Sequence, residues 1–184
     1  MVIGIDLDGV VFDTLGRFRQ WCSGEKISNF CDTWMVCDLK NLVPEHFDKI
    51  HNTFRQPEFI QTIGFMPGAK RAIREMLQCD HHQIKAISGR AEEVAAITRS
   101  VLAGVLEPQN IYLVGWKNRA QAKVELCQQL GIENFVEDDP KVAKALEGVG
   151  IKVYLFDQSY NQDLADIERV HNWGEIRSKF RELN

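Results

Sequence analysis

The sequence predicts an α/β fold: a doubly wound parallel sheet with a small helical cap inserted after its first strand. Three observations lead there. An apolar run from Val2 to Leu7 opens the chain and ends among acidic residues. From residue 67 onward, short β-branched or aromatic runs alternate with helix-patterned segments, the rhythm of a parallel sheet with helices on both faces. Between these, residues 14–66 show helical spacing and no convincing strand. At 184 residues the chain fits one large domain with a modest insertion. The expected division is a core of residues 1–13 and 67–184 and a cap of residues 14–66.

The first strand, residues 2–7, is β-branched and reads as buried. Side chains two apart in a strand leave on the same face, so Asp6 and Asp8 project together from its carboxyl end. Ligands of open α/β sheets sit at that end. Two like charges held close perturb each other's titration, which suits a divalent cation or proton transfer better than it suits stability. A solvated acidic turn is the plain alternative. An EF-hand loop is excluded, because it needs an oxygen ligand at position 5 and Gly at position 6, where Val10 and Val11 stand.

In the insertion, Leu15, Phe18 and Cys22 share one helical face, as do Phe47, Ile50 and Phe54, with Pro44 placed for a helix start. An insertion leaving just after the acids overhangs them, where a lid over a reaction centre sits. Its aromatics are Trp21, Phe30, Trp34, Phe47, Phe54, Phe59 and Phe65. They are expected mainly to form the cap's own core, with one or two facing the cleft. Pro67-Gly68 marks the return. Strands are then predicted at 83–88, 111–114, 135–136 and 151–156, five in all. Helices are predicted at 68–78, 91–104, 118–130 and 140–148, with Gly104, Gly131 and Gly148 as stops.

Three further constellations punctuate this Rossmann-like pattern. Ser88-Gly89-Arg90 joins a strand to a helix, where a hydroxyl and backbone N–H groups make an anion site; a plain helix N-cap is the simpler reading. Lys123 lies on a stripe with Trp116, Ala120, Cys127 and Leu130. Burying an unpartnered ammonium is costly, so Lys123 either snorkels or reaches an anion at the sheet edge. In Glu137-Asp138-Asp139-Pro140, Pro140 suits the first helical position and Asp139 its N-cap. That leaves Glu137 and Asp138 for a cation shared with Asp6 and Asp8. Hard oxygen ligands from separate loops describe Mg²⁺ better than zinc or calcium.

Together, and in this order, the four motifs resemble the haloacid dehalogenase (HAD) superfamily of phosphotransferases, over most of the chain outside residues 14–66. The resemblance implies that Asp6 is the nucleophile, forming an aspartyl-phosphate, and that Asp8 protonates the leaving oxygen and then activates water. Ser88, Gly89 and Lys123 would hold phosphoryl oxygens. Glu137 and Asp138, with the Asp6 carboxylate and the Asp8 backbone carbonyl, would bind Mg²⁺. Glu137 stands where many members have Asp. Asp8 must be protonated for the first step, so its surroundings are expected to raise its pKa. Arg90 is expected to touch a phosphate or pair with Glu93, without a catalytic role.

Within the superfamily, the chain looks like the 5′(3′)-deoxyribonucleotidase-like branch. The features are the helical insertion, Ser-Gly-Arg, Glu-Asp-x-Pro, Ser159-Tyr160-Asn161 and Asn172-Trp173-Gly174-Glu175-Ile176. That likeness implies a nucleoside monophosphate substrate with a cap aromatic on its base. The rival is a sugar or organic-acid phosphate. Trp173 and Ile176 read as packing residues. A non-enzymatic receiver-like domain would need a phosphoacceptor on the third strand, and Leu113-Val114-Gly115-Trp116 offers no Asp.

A net charge of −4 and a pI near 5.7 argue against polymeric nucleic acid as a partner. They leave a small phosphorylated substrate, and a homodimer is compatible with the sequence. The cysteines (Cys22, Cys31, Cys37, Cys79, Cys127) are odd in number and lack metal spacing, so reduced thiols in the cytoplasm are expected. The start has no basic n-region and no apolar run spans a membrane.

Overall fold

The computed structural model describes residues 1–25, 44–79 and 81–183. Six parallel strands form its sheet: β1 (Val2–Ile5), β2 (Gln83–Ser88), β3 (Ile111–Leu113), β4 (Asn134–Glu137), β5 (Lys152–Phe156) and β6 (Arg169–Val170), in the order β3-β2-β1-β4-β5-β6. The chain enters at the middle, builds outward to β3, then returns to start again beside β1. Strand order therefore reverses between β1 and β4, and their carboxyl ends flank the crevice where such sheets hold ligands. The register pairs Ile5 with Val136, and the Asp6 N–H donates to the Val136 carbonyl at 2.9 Å. The two acidic motifs thus leave the sheet side by side. The sixth strand escaped the sequence reading because two residues carry no periodicity.

Helices α1 (Thr14–Gly24), α2 (Pro44–Thr53) and α3 (Pro57–Gln61) lie in the insertion. Then come α4 (Ala69–Leu77), α5 (Ala95–Val101), α6 (Arg119–Gln129), α7 (Pro140–Glu147) and α8 (Trp173–Glu182). The strands alternate between two cores, as a period of two requires. Ile3, Ile5, Ala86, Val136 and Tyr154 face α4 and α8, with Ile73, Trp173 and Phe180 among their neighbours. Ile87, Phe135, Val153 and Leu155 face α6 and α7, meeting Val124, Val142 and Leu146. Each such buried side chain stabilises by about 1.5–3 kcal/mol. Gly4 sits under the Phe135 ring, which a Cβ there would overlap. The segment expected as one helix over 91–104 opens as a 3₁₀ turn, Glu92–Val94, before α5. Among the described residues no helix is long and apolar enough to cross a membrane.

The insertion leaves and returns through paired backbone. Asp13 N–H donates to the Gly64 carbonyl and Met66 N–H to the Val11 carbonyl, each at 2.8 Å, and the Phe12 and Phe65 rings meet at 4.7 Å. Phe18, Cys22 and Ile50 form a small cluster of their own, with Trp21, Phe47 and Phe54 packed on it. Phe59, Ile60 and Ile63 instead join the main core, so the returning end of the insertion is anchored on the sheet layer. Phe30, Trp34, Cys31 and Cys37 lie outside the described residues. Cys22, Cys79 and Cys127 are free thiols.

Candidate active site

Past β1 the backbone turns sharply, with Val11 and Phe12 N–H both donating to the Leu7 carbonyl at 2.9 and 2.8 Å. Gly9 takes φ +84°, and a Cβ there would overlap the Asp138 carboxylate and the Tyr160 hydroxyl. Only glycine lets the first acidic motif approach the fourth so closely. The turn is pinned from the far end of the chain: Gln158 Nε2 donates to the Gly9 carbonyl (2.6 Å) and Trp173 Nε1 to the Val10 carbonyl (2.9 Å). Trp173 and Ile176 are buried, as expected of packing residues.

Asp6 and Asp8 engage different cations. Lys123, on α6, is buried and donates to Asp6 Oδ1 at 2.6 Å and Glu137 Oε2 at 2.7 Å. It reaches anions rather than snorkelling. Its stripe does not extend back to Trp116, because α6 begins at Arg119. Burial pulls the Lys123 ammonium towards neutrality, but Asp6 and Glu137 overcome this and raise its pKa. Burial pushes the Asp6 carboxyl up to about 7; Lys123 opposes the shift while Glu137 and Asp8 add to it.

Asp8 is clamped. Arg90 Nε donates to its Oδ2 and Arg90 Nη2 to its Oδ1, both at 2.8 Å. Thr14 Oγ1 donates to Oδ1 at 2.7 Å, and Ser88 Oγ to Oδ2 at 3.3 Å. Burial alone would raise this carboxyl, yet Arg90, then Thr14 and Ser88, hold it below the usual carboxylate range. The expectation of a raised Asp8 is therefore corrected. Arg90 pairs with Asp8 rather than with Glu93. Ser88 also accepts the Arg90 N–H at 3.2 Å, but it is not a helix N-cap: the 3₁₀ turn that follows starts after Ala91, with no side-chain cap.

The fourth motif divides its acids. Glu137 Oε1 accepts the N–H groups of Asp138 and Asp139, both at 3.1 Å, while its other oxygen takes Lys123. Asp138 accepts the Tyr160 hydroxyl through Oδ2, and its backbone carbonyl accepts Asn161 Nδ2 at 2.9 Å. Burial, then Glu137 and Asp6, raises the Asp138 carboxyl. Asp139 caps α7, accepting the Lys141 N–H at 2.8 Å, and is also paired with Arg119.

Five carboxylates (Asp6, Asp8, Glu137, Asp138, Asp139) thus meet three cations (Arg90, Arg119, Lys123) on the floor of one cleft. Two negative charges are left over when all are ionised. Oxygens of Asp6, Glu137 and Asp138 lie within 4.8 Å of one another. A hard, oxygen-only donor set with that charge deficit fits a divalent cation of the magnesium kind. Above the floor rises a cleft of about 230 Å³ with walls that include Leu15, Phe47, Ile50, Phe54 and Trp116. Two cap aromatics, Phe47 and Phe54, face it; Trp21 stacks on Phe18. His51 joins cap to core, stacked on Phe47 (5.6 Å) and edge-on to Trp116 (5.0 Å). Sequence reasoning missed Arg119, His51 and Tyr160 as site residues. Only Tyr160 had a signal, its place in Ser159-Tyr160-Asn161.

The family model that matches the chain, together with its fold, makes it a hydrolase of the HAD superfamily, in its phosphatase and nucleotidase class. A HAD family hydrolase from Deinococcus radiodurans R1, solved with bound phosphate and sodium, superposes with a TM-score of 0.68 at 18% identity, covering 98% of this chain and 95% of that one. The L-2-haloacid dehalogenase of Xanthobacter autotrophicus gives 0.68 at 12% identity, covering 100% and 99%. The chain belongs to the family described as 5′ nucleotidase, deoxy (pyrimidine), cytosolic type C (NT5C), whose model matches residues 1–181. A Staphylococcus epidermidis protein with the provisional name 5′(3′)-deoxyribonucleotidase is 25% identical over 98% of this chain and 96% of its own. One from Chlorobaculum tepidum, provisionally named alike, is 24% identical over 96% and 88%.

Proposed function

We propose that the protein is a Mg²⁺-dependent phosphomonoesterase that hydrolyses a nucleoside monophosphate through an aspartyl-phosphate on Asp6. The observation that carries this reading is the convergence of Asp6, Lys123, Glu137 and Asp138 from separate segments into one buried cluster, beneath an aromatic-walled cleft. Residues 1–13 and 67–184 act as the catalytic core and residues 14–66 as the cap.

Asp6 attacks the phosphorus in line as the bond to the leaving oxygen breaks, and Asp8 gives that oxygen its proton. Water then attacks the phosphorus of the acyl phosphate and passes its proton to Asp8, so that inorganic phosphate leaves and Asp6 is restored. A phosphate dianion entering beside Asp8 favours the protonated acid, since like charges raise a carboxyl pKa. Ser88, the Gly89 N–H and Lys123 hold phosphoryl oxygens. Mg²⁺, which Asp6, Asp138 and the Asp8 backbone carbonyl would hold, would supply charge neutralisation for phosphate beside carboxylate. Glu137, with both oxygens already engaged, orients Lys123 and the fourth-motif backbone from behind.

Nucleotide preference is supported by the family, by the names of the relatives, and by the rings of Phe47, His51, Phe54 and Trp116 about the cleft. The free thiols suit a cytoplasmic site of action. The test is phosphate release from a panel of nucleotides, sugar phosphates and organic-acid phosphates, with and without Mg²⁺, for wild type and Asp6→Asn. Metal-dependent turnover favouring nucleotides, abolished in the variant, is expected. An Asp6→Asn protein that keeps its metal-dependent turnover sinks the nucleophile assignment. Turnover confined to sugar or organic-acid phosphates sinks the nucleotide.

A further inference from the structure

We propose that Arg90 is the positioning residue of Asp8: its guanidinium fork fixes the carboxylate that exchanges protons with the leaving group and with water. The inference rests on the hydrolytic reading above and adds to it a residue whose sequence position suggested at most a phosphate contact.

The geometry is that of a built clamp. Both Asp8 oxygens are taken by Arg90, Nε to Oδ2 and Nη2 to Oδ1, at equal 2.8 Å distances. Two parallel bonds fix the plane of a carboxylate, which a single bond leaves free to rotate. Arg90 is itself held: Nη1 donates to Thr98 Oγ1 at 3.2 Å, its backbone N–H donates to Ser88 Oγ, and its guanidinium lies over the Phe12 ring at 4.8 Å. Its side chain is only 5% exposed while that of Asp8 is 31% exposed, so the guanidinium is withdrawn from water and holds a carboxylate that stays open to the cleft. Thr14, the first residue of α1, adds a third fixed donor to Asp8. Asp8 is thereby referenced at once to the second strand, the helix after it and the start of the cap.

Aim matters for a proton donor in a way that it does not for a bulk charge. Proton transfer in a transition state requires the acid within hydrogen-bond reach of the leaving oxygen, and small misplacement is costly. Lysine in place of Arg90 keeps the charge and loses the two-point fork.

The experiment compares two substrates: a nucleoside monophosphate, whose alkoxide leaving group needs a proton, and p-nitrophenyl phosphate, whose phenolate does not. Wild type, Arg90→Lys, Arg90→Met, Asp8→Asn and the double variant Asp8→Asn/Arg90→Met are assayed with Mg²⁺ after thermal melts establish that each is folded. Arg90→Lys carries the test should Arg90→Met fail to fold. Expected is a kcat/KM loss of roughly 10²-fold on the nucleotide, within the span of general acid–base contributions, with kcat/KM on the aryl phosphate, which reports a first step needing no proton, falling far less and KM for the nucleotide little changed. The double variant should be no slower than Asp8→Asn alone, because residues acting as a unit are not additive. Equal losses on both substrates with a raised KM make Arg90 a phosphate ligand and overturn the proposal. Unchanged nucleotide turnover in Arg90→Lys and Arg90→Met overturns it too. A wild type inactive on every phosphate monoester removes the hydrolytic reading, and this proposal with it.

Discussion

Lys123 Nζ lies 2.6 Å from Asp6 Oδ1, and both side chains are almost wholly withdrawn from solvent. The same ammonium serves Glu137, so one buried cation is shared by two carboxylates next to a third, Asp138. Replacing it with methionine leaves three buried acids without a counter-charge. Breaking a buried pair in this way costs about 3–5 kcal/mol. Lys123→Met is therefore expected to melt well below wild type at pH 7.5 without divalent ions. It should recover much of the gap at pH 5, where Asp6 and Asp138, whose carboxyls burial already raises, can protonate. Calorimetry at the two pH values checks this; a variant that melts with wild type at pH 7.5 would show that the pair does not hold the site together.

The raised carboxyls give the wild type its own pH signature. Asp6 goes from an ordinary 3.8 to about 7 in the folded protein, by burial first, and Asp138 is raised in the same direction. A carboxyl with a raised folded pKa binds more protons folded than unfolded, so its contribution to stability is full below about pH 4 and is lost as pH rises through about 7. In chelator, Tm is expected to fall from pH 5 to pH 8. A divalent ion binds the deprotonated forms and competes with those protons, so added Mg²⁺ should stabilise more at pH 8 than at pH 5. Melting curves across pH, with chelator and with Mg²⁺, provide the comparison. A Mg²⁺ effect larger at pH 5 would contradict the assignment of these carboxyls to the ion.

Tyr160 gives Asp138 its one side-chain hydrogen bond among the described residues. Partners that orient a metal-binding carboxylate typically contribute 10- to 100-fold in affinity, by the general rule for such outer residues. Tyr160→Phe keeps the ring and removes only the hydroxyl. It should weaken Mg²⁺ binding by roughly ten-fold or more, read by calorimetric titration of the free enzyme, and leave the melting temperature in chelator near that of wild type. Unchanged Mg²⁺ affinity would reduce Tyr160 to a space-filling role.

Much of this site was legible because strand ends have a local signature. The apolar run before Asp6 and the Asp139-Pro140 cap each depend on a few neighbouring residues, and both stand as read. Lys123 was legible as an anomaly, a charge on an apolar stripe, though its partners lie 117 and 14 residues away. Arg90 was seen without its partner: Glu93 is three residues off in sequence, whereas Asp8, 82 residues away, becomes its neighbour only through the pairing of β1 with β2. The missed strand β6 has two residues, below any periodicity. Gln158 and Trp173 hold the turn after β1 by donating to backbone carbonyls, and no sequence pattern records a backbone acceptor.

The contact of His51 with Trp116 bears on substrate choice. His51 belongs to α2 of the insertion and Trp116 to the loop after β3, and their rings meet edge-on at 5.0 Å over the cleft. Burial, then Arg55, lowers the His51 pKa, so a neutral imidazole faces the indole near pH 7. A planar base entering this gap exchanges one ring contact for two. Stacking of a base on an aromatic side chain is worth about 1–3 kcal/mol, which corresponds to roughly 5- to 150-fold in affinity. Trp116→Ala and His51→Ala are each expected to raise KM for a nucleoside monophosphate within that range while leaving kcat nearly unchanged. Hydrolysis of a sugar phosphate, which has no base to stack, should hardly change in either variant. Steady-state kinetics with both substrates make the comparison. Equal KM increases for nucleotide and sugar phosphate would mean that the two rings shape the cleft without reading a base.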